Sequence, residues 1–98
     1  MYHIVAWNYA DGFTYAENKA NAEKIKQDLE ALKGVIPEIV EIKVQINILP
    51  TSTKEIVLYT VFESTENLQA YQIHPEHKKA GAFIGKVTKD RVCLDYFA

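Results

Sequence analysis

The stretch that decides the fold is KEIVLYTVFE, residues 54–63. Successive side chains of a strand point to opposite sides, so Ile56, Leu58 and Phe62 share one face and Val57, Tyr59 and Val61 the other. A strand that is apolar on both faces belongs in the middle of a sheet. Directly behind it, STENLQAYQI (64–73) starts a helix, with Ser64 or Thr65 placed to cap it.

The neighbouring segments fit around that centre. VEIKVQINI (40–48) alternates cleanly, with Val40, Ile42, Val44, Ile46 and Ile48 apolar and Glu41, Lys43, Gln45 and Asn47 polar. It reads as a strand with one buried and one wet face. Its length exceeds the usual five or six residues, so part of it is expected to overhang the sheet. YHIVAWNY (2–9) is rich in aromatic and β-branched residues and reads as the first strand. After the turn ADGF, Thr14 and Glu17 have capping-box spacing, and Ala22, Ile25, Leu29 and Leu32 form one helical stripe. Gly34 is placed to end that helix, and Pro37 prevents its resumption. RVCLDYF (91–97) is the fourth strand.

The order β-α-β-β-α-β is that of an α+β, ferredoxin-like fold: a four-stranded antiparallel sheet with its helices on one face. Helices on one face leave the other uncovered, although strands one, three and four are apolar on both. Such a patch marks an interface. The simplest closure is a homodimer that stacks sheet on sheet through a two-fold axis.

Composition narrows the function classes. The 98 residues make one domain, 1–98, and 48% hydrophobic with 24% charged residues is the balance of a folded globule. A net charge of −2 provides no field for nucleic acid or an anionic membrane. Lys78 and Lys79 are balanced by Glu76, and Lys86, Lys89 and Arg91 by Asp90, so both groups read as solvated surface. VLYTVFES lacks the basic, glycine-containing pattern with which sheets of this topology stack RNA bases. No stretch approaches the ~20 apolar residues of a membrane span, and no signal peptide is recognisable, so a cytoplasmic location is expected. The single cysteine, Cys93, excludes an intrachain disulfide and reads as a small core residue. No glycine-rich phosphate loop occurs, and no cofactor is implied.

The chemistry-bearing segment is YQIHPEHKKAG (71–81), which holds Tyr71 and two of the three histidines, His74 and His77. Pro75 disfavours helix at His74 but suits the first turn of a new helix. The second helix is therefore expected to break at His74, and a short helix to run from Pro75 towards Ala82. His77 falls in its first turn, where the positive end of the helix dipole disfavours imidazolium. Tyr71 can face it across the kink. A neutral imidazole beside a phenol is a base and donor pair for deprotonating the carbon next to a carbonyl. The competing reading is structural, since a helix break leaves backbone groups that histidine and tyrosine can satisfy. Metal binding is not expected: the break separates His74 from His77, and no Cys, Asp or Glu cluster accompanies them. His3 either points into the core cavity or lies at its mouth.

TVFESTENLQAYQIHPEHKKAGAFIG, followed by RVCLDYF, resembles the stress-responsive α/β-barrel (Dabb) family. The resemblance rests on the strand ending FES, the helix reaching AYQIHPEH and the final Asp-Tyr-aromatic run, and it spans the chain. It implies a ferredoxin-like fold that dimerises through its sheets into a barrel. It also implies, more distantly, similarity to olivetolic acid cyclase-type polyketide cyclases. Carried over residue by residue, His77 becomes the general base, Tyr71 an orienting donor, and the histidine near the start of strand one falls on His3; His3 and His74 are the candidate ligand-binding positions. A further histidine of those cyclases, on the third strand, meets Ile56 or a neighbour here, so that part of the cyclase pocket is missing. The expectation is a small-ligand site between sheet and helices, with a cofactor-independent cyclase or isomerase as the alternative.

Overall fold

The computed structural model describes residues 1–98 and follows the expected element order, including the separate helix that starts at Pro75. Strand β1 (Tyr2–Tyr9) leads to α1 (Tyr15–Ala31), β2 (Glu41–Gln45), β3 (Ile56–Val61), α2 (Thr65–Ile73), α3 (Pro75–Val87) and β4 (Thr88–Tyr96). The sheet is antiparallel with strand order β2-β3-β1-β4, so the doubly apolar β3 is central, as expected, and β4 is an edge.

Local chemistry accounts for the helix boundaries. Thr14 Oγ1 accepts from the Glu17 amide, and Glu17 accepts from the Thr14 amide, which completes the capping box. Ala22, Ile25, Leu29 and Leu32 are all buried against the sheet. Ile25 and Leu29 are fully enclosed, and such burial contributes roughly 1.5–3 kcal/mol per side chain. The polar side of α1 also takes part in the fold. Lys26 Nζ donates to the Val44 carbonyl, and Glu30 accepts from the Val44 amide, which ties the helix to the free edge of β2. The end of the long alternating segment does overhang: β2 stops at Gln45, and Ile46 packs beside the core rather than in a ladder.

Pro75 acts as expected, with a difference in extent. The break falls at His74, whose backbone is extended (φ −63°, ψ 135°), and α3 starts on the proline. However, α3 continues for 13 residues to Val87 instead of stopping near Ala82, because Ala80, Ile84 and Val87 keep an apolar stripe against the core. β4 correspondingly begins at Thr88, earlier than expected.

The core lies on the helix-covered face, under His3, Val5, Trp7, Val44, Ile56, Leu58 and Phe62. The opposite face carries Tyr2, Ile4, Val57, Tyr59, Leu94 and Tyr96, with Tyr2 stacked on Tyr96 at 5.2 Å between ring centroids. In a single chain Leu94 is 54% exposed and Tyr96 45%. No helix is long and apolar enough to cross a membrane.

Candidate functional site

The pairing of β1 with β4 builds the site. In this register His3 lies opposite Asp95 and Val5 opposite Cys93, so both β4 side chains share the helix-facing side with His3. Near the other end of the pairing, Ala6 meets Val92 but Asn8 meets Lys89. Asp90 and Arg91 therefore oppose Trp7 together, as a β-bulge. Asp90 takes the left-handed conformation (φ 56°) that a short polar side chain tolerates. Bulges re-aim side chains, and this one includes Arg91 and precedes Cys93 and Asp95.

His3 is almost completely buried, and its Nδ1 lies 2.5 Å from Asp95 Oδ1. A carboxylate only accepts, so Nδ1 carries a proton; when the ring is neutral, Nε2 is its accepting nitrogen. Thr60 Oγ1 donates to the His3 carbonyl and fixes the backbone at that point.

His77 reaches the same condition by another route. Its Nδ1 is 3.2 Å from the Gln72 carbonyl across the helix break. A carbonyl also only accepts, so the proton is again on Nδ1 and the lone pair on Nε2. Burial lowers the His77 pKa below its ordinary value, and the Arg91 charge, together with His3 and His74 whenever they are protonated, acts in the same direction. The sequence reading reached the neutral form from the helix dipole; desolvation is the larger cause.

Tyr71 is fully buried between the two imidazoles. Its ring centroid is 4.3 Å from that of His77 and 6.4 Å, edge-on, from that of His3, with Phe62 5.0 Å away. Burial pushes its phenol well above the ordinary range, so it remains a neutral donor. Its hydroxyl finds no hydrogen-bond partner in the protein.

A cleft of about 170 Å³ opens between the sheet and α3, lined among others by His3, Trp7, His77, Gly81, Gly85 and Arg91. Of the residues singled out from sequence, His3 and His77 line it directly, and Tyr71 stands behind them. His74 does not line it: its Nδ1 accepts from the Glu76 amide at 3.1 Å and so caps α3. A roomier cleft of about 590 Å³ lies at the far end, between α1 and the overhang of β2, with Tyr9, Lys19, Glu23 and Glu55 on its walls. It holds no imidazole, and Glu55 is already engaged with the Tyr9 amide.

Three expectations need correction. Cys93 is exposed, because no helix covers the edge strand on which it sits. Lys89 pairs with Asp11 at 2.8 Å rather than with Asp90. Arg91, although exposed, makes no ion pair with Asp90 and lines the cleft. Asp95 was not singled out at all; only the final Asp-Tyr run hinted at it. His3 Nδ1, Cys93 Sγ and an Asp95 oxygen lie within 4.8 Å of one another, close enough for a divalent ion. Against that use, Nδ1 already donates to Asp95, and the Arg91 charge borders the thiol. Partial burial and then the Asp95 carboxylate push the Cys93 thiol up, so it is not a ready nucleophile.

The fold and the cleft define a ferredoxin-like α/β-barrel protein, and comparison with known proteins gives the family. The model of the stress-responsive A/B barrel domain (Dabb) matches residues 1–98, so the chain belongs to that family. A dimeric ferredoxin-like protein from Bacteroides fragilis is 33% identical, with 97% of this chain and 92% of that one covered and a TM-score of 0.90. A dimeric ferredoxin-like protein from Thermobifida fusca is 24% identical over 95% and 85% of the two chains, with a TM-score of 0.79. The hydroxynitrile lyase of Passiflora edulis shares the fold at 18% identity, covering 97% and 89%, with a TM-score of 0.79. No curated protein matches the chain in sequence.

Proposed function

We propose that this chain works as a homodimer that binds a small carbonyl compound between sheet and helices and moves a proton on it without a cofactor. The observation that carries the reading is the shared tautomer of His3 and His77, each with Nδ1 committed and Nε2 free beside one cleft. In the reaction, His77 Nε2 takes a proton from the carbon next to the carbonyl. The C–H electron pair moves into a new C=C bond, and the carbonyl π pair moves onto oxygen to form an enolate. His77 gives that proton back to the enolate, or to the alkoxide of the ring-closed product, while Asp95 orients the His3 ring so that its Nε2 is a second accepting nitrogen beside the cleft. Re-protonation at another carbon gives an isomerase. Attack of the enolate carbon on a second carbonyl of the same molecule gives an aldol cyclase. Tyr71 is a positioning residue that holds both rings by contact.

Dimerisation is supported by the uncovered apolar face and by the dimeric state of the Bacteroides and Thermobifida relatives. A second reading, ligand binding without chemistry, is favoured by the structural bonds of His77 to Gln72 and of His74 to Glu76.

The test is deuterium uptake from D2O at the carbon beside the carbonyl of a panel of short neutral ketones, followed by NMR. The wild type should accelerate uptake over buffer, His77→Ala should abolish the gain, and Asp95→Asn should lower it. General acid–base catalysis is worth about 10²–10⁴-fold. Uptake at the buffer rate with every ketone would leave only the binding reading.

A further inference from the structure

The cleft has one cation in its walls and no carboxylate. Arg91 lines it beside His3 and His77, pairs with no acidic group, and is set opposite Trp7 by the bulge. Asp95, the carboxylate bonded to His3, does not line the cleft.

Two glycines add an independent observation. Gly81 and Gly85 stand one turn apart inside α3, where glycine costs roughly 0.5–1 kcal/mol relative to alanine. Neither has a positive φ, and a Cβ at either would meet no atom within 4 Å. Neither backbone conformation nor packing calls for glycine at these positions. Both border the cleft, where a missing side chain leaves room for something outside the chain.

From this geometry we infer that the ligand is a short oxo-carboxylate anion whose carboxylate is held by the Arg91 guanidinium while its carbonyl end lies against His3 and His77. The inference rests on the carbonyl-binding reading above and names the substrate class of that site. A guanidinium fork matches a carboxylate in geometry and charge. It also offsets the anionic charge that opposes forming an enolate beside a carboxylate, and the Arg91 charge already acts with burial to keep His77 neutral. The size is consistent: an apolar cavity of about 150 Å³ takes up benzene, and this cleft is about 170 Å³.

The experiment compares the affinities of acetoacetate and acetylacetone, an anion and a neutral diketone of equal heavy-atom count, for the wild type and for Arg91→Gln. Because Arg91 is exposed on an edge strand, the variant should fold. Acetoacetate should bind wild type at least about tenfold tighter than acetylacetone, the worth of one charge-assisted hydrogen bond, and Arg91→Gln should erase the difference. Gly85→Ala should weaken acetoacetate while leaving the chain at least as stable. Equal affinities in the wild type, an undiminished preference in Arg91→Gln, or no binding of either compound overturns the inference. Failure of the proton-transfer reading looks different: acetoacetate is held through Arg91, but no ketone takes up deuterium. If ketones exchange deuterium with no preference for the anion, the reaction stands and the role of Arg91 falls.

Discussion

His3 on the first strand and Asp95 on the last are joined by a 2.5 Å contact across 92 residues of chain, and that contact decides which nitrogen of the His3 ring is free. His77 makes the same choice with a backbone carbonyl five residues back. Tyr71 packs edge-on to the first ring and close against the second. The site is thus two independently fixed imidazoles around one buried phenol.

Tyr71→Phe should not destabilise the fold. The hydroxyl is buried without a protein partner, and leaving such a group unsatisfied costs about 1–3 kcal/mol. Urea unfolding should give a stability equal to wild type or higher by up to about that amount, while Tyr71→Ala should lose about 3–5 kcal/mol as a large-to-small core change. A loss above about 1 kcal/mol in the phenylalanine variant would mean that the hydroxyl bonds inside the folded chain.

Stability should fall on mild acidification, partly through His77. Its folded pKa lies below the unfolded value of 6.5, chiefly through burial and against the pull of the Gln72 carbonyl. The unfolded chain therefore binds more protons, so the His77 contribution is fully present above 6.5 and is lost as pH falls from there through the folded value. Unfolding free energies at neutral and mildly acidic pH should fall less for His77→Gln than for wild type. An identical fall in both would assign the acid sensitivity elsewhere.

His74→Ala should be a stability variant and not a ligand variant. Its Nδ1 accepts from the Glu76 amide and it stands outside the cleft. Loss of such a cap typically costs about 1 kcal/mol, with the affinity for acetoacetate unchanged. A weakened affinity in a chain of normal stability would return His74 to the ligand site.

Leu94→Asp should separate the dimer. Leu94 sits opposite Ile4 on the uncovered face and is 54% exposed in one chain. A charge there would be buried unpaired in a sheet-on-sheet interface, at a cost of several kcal/mol. Sedimentation should show wild-type dimers and variant monomers, and equal masses would move the interface to another face.

How far the sequence reaches depends on whether a feature is local. The capping box of Thr14 and Glu17, the period of α1 and the break at Pro75 involve residues within a turn of each other, and all were readable. Alternation puts Cys93 on the helix-facing side, but it does not reveal that β4 is an edge without cover. Asp95 and Arg91 were beyond reach for the same reason. Their meaning comes from the register of β4 against β1 and from a bulge at Asp90, neither of which leaves a pattern in the chain. Neutral His77 was anticipated from the helix dipole, whereas its desolvation needed the packed aromatic cluster.

The most direct test of the central claim is the protonation of the two imidazoles, read from ring ¹⁵N chemical shifts and their couplings to ring protons at neutral pH. Both His3 and His77 should carry hydrogen on Nδ1 and a bare lone pair on Nε2, and His3 should lose that preference in Asp95→Asn. A proton on Nε2 of either neutral ring would remove the base from the cleft and contradict the account.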